Sequence, residues 1–312
     1  MDSENTMKID TEPFRDSNLP DVVRMYNGLA ETIPFNWPVT TAEFRDEVIG
    51  GGALLNPAVP FHSEELFLAR VDGEARGFVH FGTVEETGEQ KTERIGFIRF
   101  LVFPRPSPDV GQKLLKRALA SLKERDIREV QAWRMYEGYP FYISRHGGCW
   151  EDSYLADFFL RNRFEVCRRE IVFVRPVDFV VDIKAPDIPF DCERKPERNG
   201  SGVVSCLYSI RAGSEDIASC EWHRMNVVSR HPDAMNYGYI YSIGTSGSHR
   251  RLGLGQYMIG LMMEDMAVNG IREVALHTLS DNLPAIGLYT KMGFRQSGNC
   301  IVFRTPSANV SP

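Results

Sequence analysis

The chain has 312 residues, 36 Lys and Arg against 42 Asp and Glu for a formal net charge of -6, and 43% hydrophobic residues. That apolar content suffices for two ordinary cores, and the acidic balance lacks the basic footprint of a nucleic-acid binder. No apolar run nears the ~18 residues of a membrane span. The start Met1-Asp2-Ser3-Glu4-Asn5 does not read as a secretory leader, and the six cysteines include no Cys-x-x-Cys pair, so a reduced, cytoplasmic protein without a metal site is expected.

In chain order, residues 21–30 and 41–48 read as helices, and 66–71 with 76–81 as a hairpin around Asp72-Gly73. Strand 95–103 leads to helix 111–124, and the stretch 135–150 that follows is rich in aromatics and glycine. Pro176, Pro186 and a short apolar run mark a linker within 175–187, and the charged stretch 192–199 reads as a solvated loop. Strand 217–225 places Glu221 and His223 on one face and Cys220, Trp222 and Arg224 on the other. Strand 239–245 runs through Ser246-Gly247-Ser248 to a helix with Leu254, Met258, Leu261, Met262 and Met266 on one face. Strand 273–279 enters through Asn269-Gly270, and a last helix starts at Asn282-Leu283-Pro284 and stops at Gly293.

The chain repeats itself. Gly111-Gln112 and Ile127-Arg128-Glu129-Val130 recur 144 residues later as Gly255-Gln256 and Ile271-Arg272-Glu273-Val274. Phe164, Ile171-Val172-Phe173 and Pro176 recur 130 residues later as Phe294, Ile301-Val302-Phe303 and Pro306. Two copies of one domain are the economical reading. The first copy carries an insertion at 135–150, whereas the second has only 26 residues between Pro176 and Val203, where the first spends two helices.

The turn after strand 239–245 carries the chemistry. Gly253 and Gly255 lack a Cβ, so backbone can approach a ligand, and the unpaired N–H groups of the helix start favour an anion. Arg250 adds fixed positive charge. A dinucleotide fingerprint would need a third glycine where Met258 stands, and no Gly-Lys-Ser/Thr occurs.

With Arg250-x-x-Gly253-x-Gly255 followed by Asn282, Ala285, Tyr289, Gly293 and Phe294 in order and spacing, the second copy resembles the GCN5-related N-acetyltransferase (GNAT) superfamily. The length and two-copy layout are similar to those of mycothiol synthases. The resemblance implies an α/β (α+β) fold of two tandem GNAT domains, 1–176 and 177–312, each a mixed, mostly antiparallel twisted sheet flanked by helices. It implies acetyl-CoA as co-substrate, held by Ile243, Thr245, Arg250, Arg251, Leu252, Gly253, Leu254, Gly255, Gln256 and Asn282, with no metal. A small-molecule primary amine would attack the thioester directly, with Tyr289 as the acid for the departing sulfur. Glu221 or His223 would accept the amine's proton, with solvated-strand roles for both left open. His277 is a possible relay or a core histidine. A non-catalytic module that binds a CoA ester is the alternative. The first copy has Pro106, Asp109, Asp152 and Phe159 where the second has Arg250, Gly253, Asn282 and Tyr289, so it is expected not to bind the carrier. Its helices 21–30 and 41–48 with the insertion, or a second copy of the chain in a homodimer, would complete the acceptor wall.

Overall fold

The computed structural model describes residues 8–50, 61–87, 92–135, 137–143, 147–177 and 184–306. The chain divides into two compact units, Met1–Arg169 with Cys300–Pro312, and Glu170–Asn299.

In the first unit β1 (Ile9–Pro13), β2 (Phe61–Val71), β3 (Glu74–Thr87) and β4 (Thr92–Val102) pair antiparallel in sequence order. Asp72 and Gly73 both take positive φ, 50° and 86°, the two-residue turn whose twist matches its strands. Helix α1 (Leu19–Ala30) buries Val22, Val23, Tyr26 and Leu29. Helix α2 (Thr41–Phe44) is capped by Thr40 and widens into a π turn over Arg45–Ile49, so the expected helix 41–48 is α-helical for four residues only. Helix α3 (Pro108–Glu124) begins three residues before the expected start, because a proline at the first helical position loses no bond. β5 (Val130–Ala132), β6 (Cys149–Trp150) and α4 (Tyr154–Arg161) follow. Within the insertion, Tyr139, Phe141 and Tyr142 are fully buried against Tyr26, Phe44 and Phe100, with Phe100 and Tyr139 stacked at 4.0 Å. The insertion's aromatics thus form this unit's own core.

After β7 (Glu165–Pro176), the second unit contains β8 (Asp191–Asn199), β9 (Gly202–Ala212), β10 (Glu215–Arg224), β11 (Tyr237–Thr245), α5 (Leu254–Val268), β12 (Glu273–Leu279) and α6 (Leu283–Lys291). Its sheet order is β7-β12-β11-β10-β9-β8, and only β11 and β12 are parallel. A core of Trp222, Ile240, Met258, Met262, Met266 and Leu276 lies between this sheet and its helices. Among the described residues between Val177 and Gly202 there is no helix.

The two sequence copies exchange last strands. Residues 170–176 of β7 pair with β12, whereas 300–304 of β13 (Arg295–Arg304) pair with β5 and β6. The compact units therefore differ from the sequence division at 176/177 by one strand on each side.

Residues 192–199, expected as a loop, are β8 instead. Every residue of β8 is exposed, yet its backbone pairs with β9 along its length. Charged side chains and Pro196 suit an edge strand, where one row of backbone groups faces solvent. Among the described residues no helix is long and apolar enough to cross a membrane, and all six cysteines are free.

Candidate active site

Strand β11 leaves its parallel neighbour early. Pairing with β12 covers only Tyr237–Tyr239, while pairing with β10 continues to Thr245. Beyond Tyr239 the strand thus opens toward a cleft. A short 3₁₀ turn, Gly247–His249, leads to Arg251 (φ 66°) and Gly253 (φ 89°), and α5 begins at Leu254. No side chain caps this helix, so the N–H groups of Leu254, Gly255 and Gln256 have no partner within it.

The cleft has a volume of ≈ 700 Å³. Nine of the ten residues expected to hold the carrier line it: Ile243, Thr245, Arg250, Arg251, Gly253, Leu254, Gly255, Gln256 and Asn282. Leu252 is not in the lining and is 42% exposed. His249 and Lys291 line it too, and neither stands out in the sequence motif. His249 follows the turn serines, and its Nδ1 lies 3.0 Å from the hydroxyls of both Ser246 and Ser248. Arg250, Arg251 and Lys291 bring three fixed cations to the lining, which among the described residues contains no Asp or Glu. In a chain with net charge -6, that local excess favours an anionic ligand, and the uncapped helix start adds to it. A group bearing phosphates fits this donor set.

The two motif glycines answer different needs. A Cβ on Gly253 would meet nothing within 4 Å, so the glycine serves the left-handed backbone. A Cβ on Gly255 would come within 2.9 Å of Leu288 Cδ2, so this glycine lets α5 approach α6.

Asn282 caps α6. Its Oδ1 accepts from the Ala285 N–H at 3.4 Å, and its Nδ2 donates to Thr278 Oγ1 at 3.1 Å. Tyr289, one of the cleft residues, is 5% exposed and packs on Phe173 and Phe294 at 5.8 and 6.0 Å between ring centroids. Burial pushes its phenol up to about 12, which keeps it protonated at neutral pH.

Glu221 and His223 are not cleft residues. They stand on the sheet face opposite α5, and the alternation expected for strand 217–225 holds: Cys220, Trp222 and Arg224 are buried. His223 Nε2 lies 2.7 Å from Glu221 Oε1. A β-bulge shifts the register here, with Trp222 opposite Ile240 and Glu221 opposite Ser242. Tyr241 is the extra residue. Its ring stacks on His223 at 4.9 Å and 27°. One residue beyond Ser242, Ile243 is back on the core side, opposite Cys220. His277 is half-buried, with Nδ1 3.1 Å from the Tyr239 hydroxyl.

The first unit's counterpart is filled. Pro108 and Asp109 occupy the first turn of α3. A Cβ on Gly111 would lie 2.5 Å from the Phe103 ring, which packs against this helix start. Phe159, in place of Tyr289, is fully buried and stacks on Phe303 at 5.2 Å.

A mixed sheet whose single parallel pair opens beside a cation-lined helix start defines an α/β fold with a cleft suited to an anionic ligand. Residues 212–294 match the acetyltransferase (GNAT) family. Mycothiol acetyltransferase of Corynebacterium glutamicum is 36% identical over 64 residues, 20% of this chain and 22% of that protein. N-alpha-acetyltransferase 60 of Drosophila melanogaster is 37% identical over 70 residues, 20% of this chain and 25% of that protein. The matches thus span a quarter or less of these relatives' own length. A tandem GNAT protein from the clavulanic acid biosynthesis pathway shares the fold over 97% of this chain and 100% of its own, with a TM-score of 0.66 at 13% identity. The family match thus falls within the second unit, and the likeness to the tandem GNAT protein is one of fold over the whole chain.

Proposed function

We propose that the second unit is an N-acetyltransferase that moves an acetyl group from acetyl-CoA, held in the ≈ 700 Å³ cleft, to a primary amine of a small-molecule acceptor. The charge of that cleft carries the reading: Arg250, Arg251 and Lys291 line it with no carboxylate among the described residues, beside the uncapped start of α5. A polyphosphate-bearing carrier needs this combination, and a structural strand-to-helix turn does not.

The gap between β11 and β12 beyond Tyr239 is the place for the thioester, where backbone N–H groups of β11 would stabilise the oxyanion. The amine nitrogen forms a bond to the acetyl carbon as the C–S bond breaks. Its proton passes to the Glu221–His223 pair, directly or through water, and Tyr289 faces the departing sulfur. A phenol near 12 is a weaker acid than a free thiol near ~8.5, so complete transfer is uphill by roughly 5 kcal/mol. Tyr289 therefore serves first as a hydrogen-bond donor to the developing thiolate. That weakness is also what favours the second reading, a module that binds a CoA ester without turning it over.

Calorimetric titration of acetyl-CoA into wild type and Gly253→Asp tests the carrier site. One site per chain, lost in the variant, is the expected result, and two sites or none would refute it. Thiol release that depends on added amine then separates enzyme from binding module.

A further inference from the structure

Resting on that reading of the second unit, we propose that Tyr241 is the acceptor's platform and that it selects a cationic amine. The bulge in β11 creates this position. It makes Tyr241 and Ser242 successive residues outside the core, whereas strict alternation would put Tyr241 and Ile243 on one face. Tyr241 is 47% exposed, with one ring face against His223 and His223 held by Glu221. A large aromatic ring this exposed buries little for the fold, so its outer face is available to a ligand. Tyr241 stands two residues from Ile243, the first cleft residue of the strand, a separation of about 7 Å along a strand. An acceptor on the ring is thus within reach of the gap where the thioester belongs.

The chemistry of the surroundings chooses the acceptor's charge. Strand pairing aligns Glu197, Ser205 and His223 in one row of the open face, and Lys195, Leu207 and Glu221 in the next. The Ser205 hydroxyl donates to Glu197 Oε2 at 2.9 Å, as a shared face requires. Lys195 is engaged by Glu193 at 3.0 Å. An ammonium group meets an aromatic face here, beside the Glu221–His223 pair, and a carboxylate-bearing acceptor gains no such attraction from the ring. The second positive charge of a diamine rests on the ring while its other nitrogen is acetylated.

The test uses the full chain with acetyl-CoA and two acceptors of equal length, putrescine and γ-aminobutyrate. The expected KM for putrescine is lower by about tenfold. Tyr241→Leu raises the putrescine KM roughly two- to fivefold with little change in kcat. Tyr241→Phe, which keeps the ring face, restores it, and the γ-aminobutyrate KM does not follow. Equal or better use of γ-aminobutyrate, or a putrescine KM indifferent to Tyr241→Leu, overturns the inference. So does a protein that binds acetyl-CoA but neither binds nor acetylates putrescine, and this outcome leaves the carrier site standing. Failure to bind acetyl-CoA overturns the carrier reading first and this inference with it.

Discussion

Arg175 donates from Nη1 to the carbonyl oxygen of Met292 at 2.6 Å, and its guanidinium lies 6.0 Å from the centre of the Phe294 ring. Met292 ends α6, so the arginine satisfies one of the carbonyls that a helix terminus leaves open. A strand encoded ahead of the linker thus closes the helix that presents Tyr289, and Phe173 of the same strand packs on the Tyr289 ring. Arg175 is 1% exposed. Arg175→Met should cost roughly 1–3 kcal/mol, the loss expected when a buried acceptor loses a charged donor, and should weaken acetyl-CoA binding. A fragment of residues 177–312, lacking β7, should not bind the carrier. Calorimetry on a folded fragment that does bind would contradict this.

Gly253 and Gly255 should respond differently to alanine. At Gly253 the left-handed backbone makes any side chain strained, by roughly 1–2 kcal/mol. At Gly255 the obstacle is the tip of Leu288, a half-buried side chain that can turn aside. Gly255→Ala should therefore cost less in a denaturant melt than Gly253→Ala, and Leu288→Ala should remove the Gly255→Ala penalty. Equal penalties, with no rescue, would mean that α5 and α6 do not set this contact.

Reversing charge in the cleft should weaken the carrier without unfolding the protein. Arg250 and Lys291 are both exposed, so each contact is screened by salt. Arg250→Glu and Lys291→Glu should each raise the Kd for acetyl-CoA about tenfold at low ionic strength, a loss of about 1.4 kcal/mol. The gap to wild type should narrow as salt is added. A gap that does not change with salt would point to altered loop geometry instead.

The Tyr289 phenol makes a prediction about pH. Its pKa rises from 10.0 to about 12 on folding, with burial as the cause. Between these values the unfolded chain has lost the proton and the folded one retains it, so stability falls as pH rises. The full contribution is present below pH 10.0 and is lost through about 12, a change of roughly 2–3 kcal/mol. Tyr289→Phe should flatten the alkaline decline in thermal midpoint by that share. Its kcat should fall while the Kd for acetyl-CoA stays within about twofold, if the hydroxyl acts on the departing sulfur. Undiminished turnover in Tyr289→Phe would remove the residue from the chemistry.

Much of the cleft's local geometry is legible in the sequence because its requirements are local. Positive φ at Gly253, a helix start after the turn and a cap at Asn282 are demands that a few consecutive residues meet by themselves. The faces of strand 217–225 followed from alternation alone. Residues 192–199 read as a loop in the sequence because an edge strand needs no apolar face, and its charge pattern matches that of a loop. His249 and Lys291 are not legible as cleft residues in the sequence because they lie outside the motif and are brought to the cleft by a turn and by the end of a helix.

From the sequence alone, the doubling of the fold, its α/β class, and the copy that keeps the glycine turn were already determined, since repeats and turn chemistry are written in residue order. Three things were decided only in the tertiary structure: the exchange of β7 and β13, the bulge at Tyr241, and the filling of the first unit's helix start by Phe103. Each depends on which backbone edges and side chains meet across tens or hundreds of residues. Strand pairing satisfies backbone hydrogen bonds that nearly any sequence carries, so residue order alone does not say which copy a strand completes.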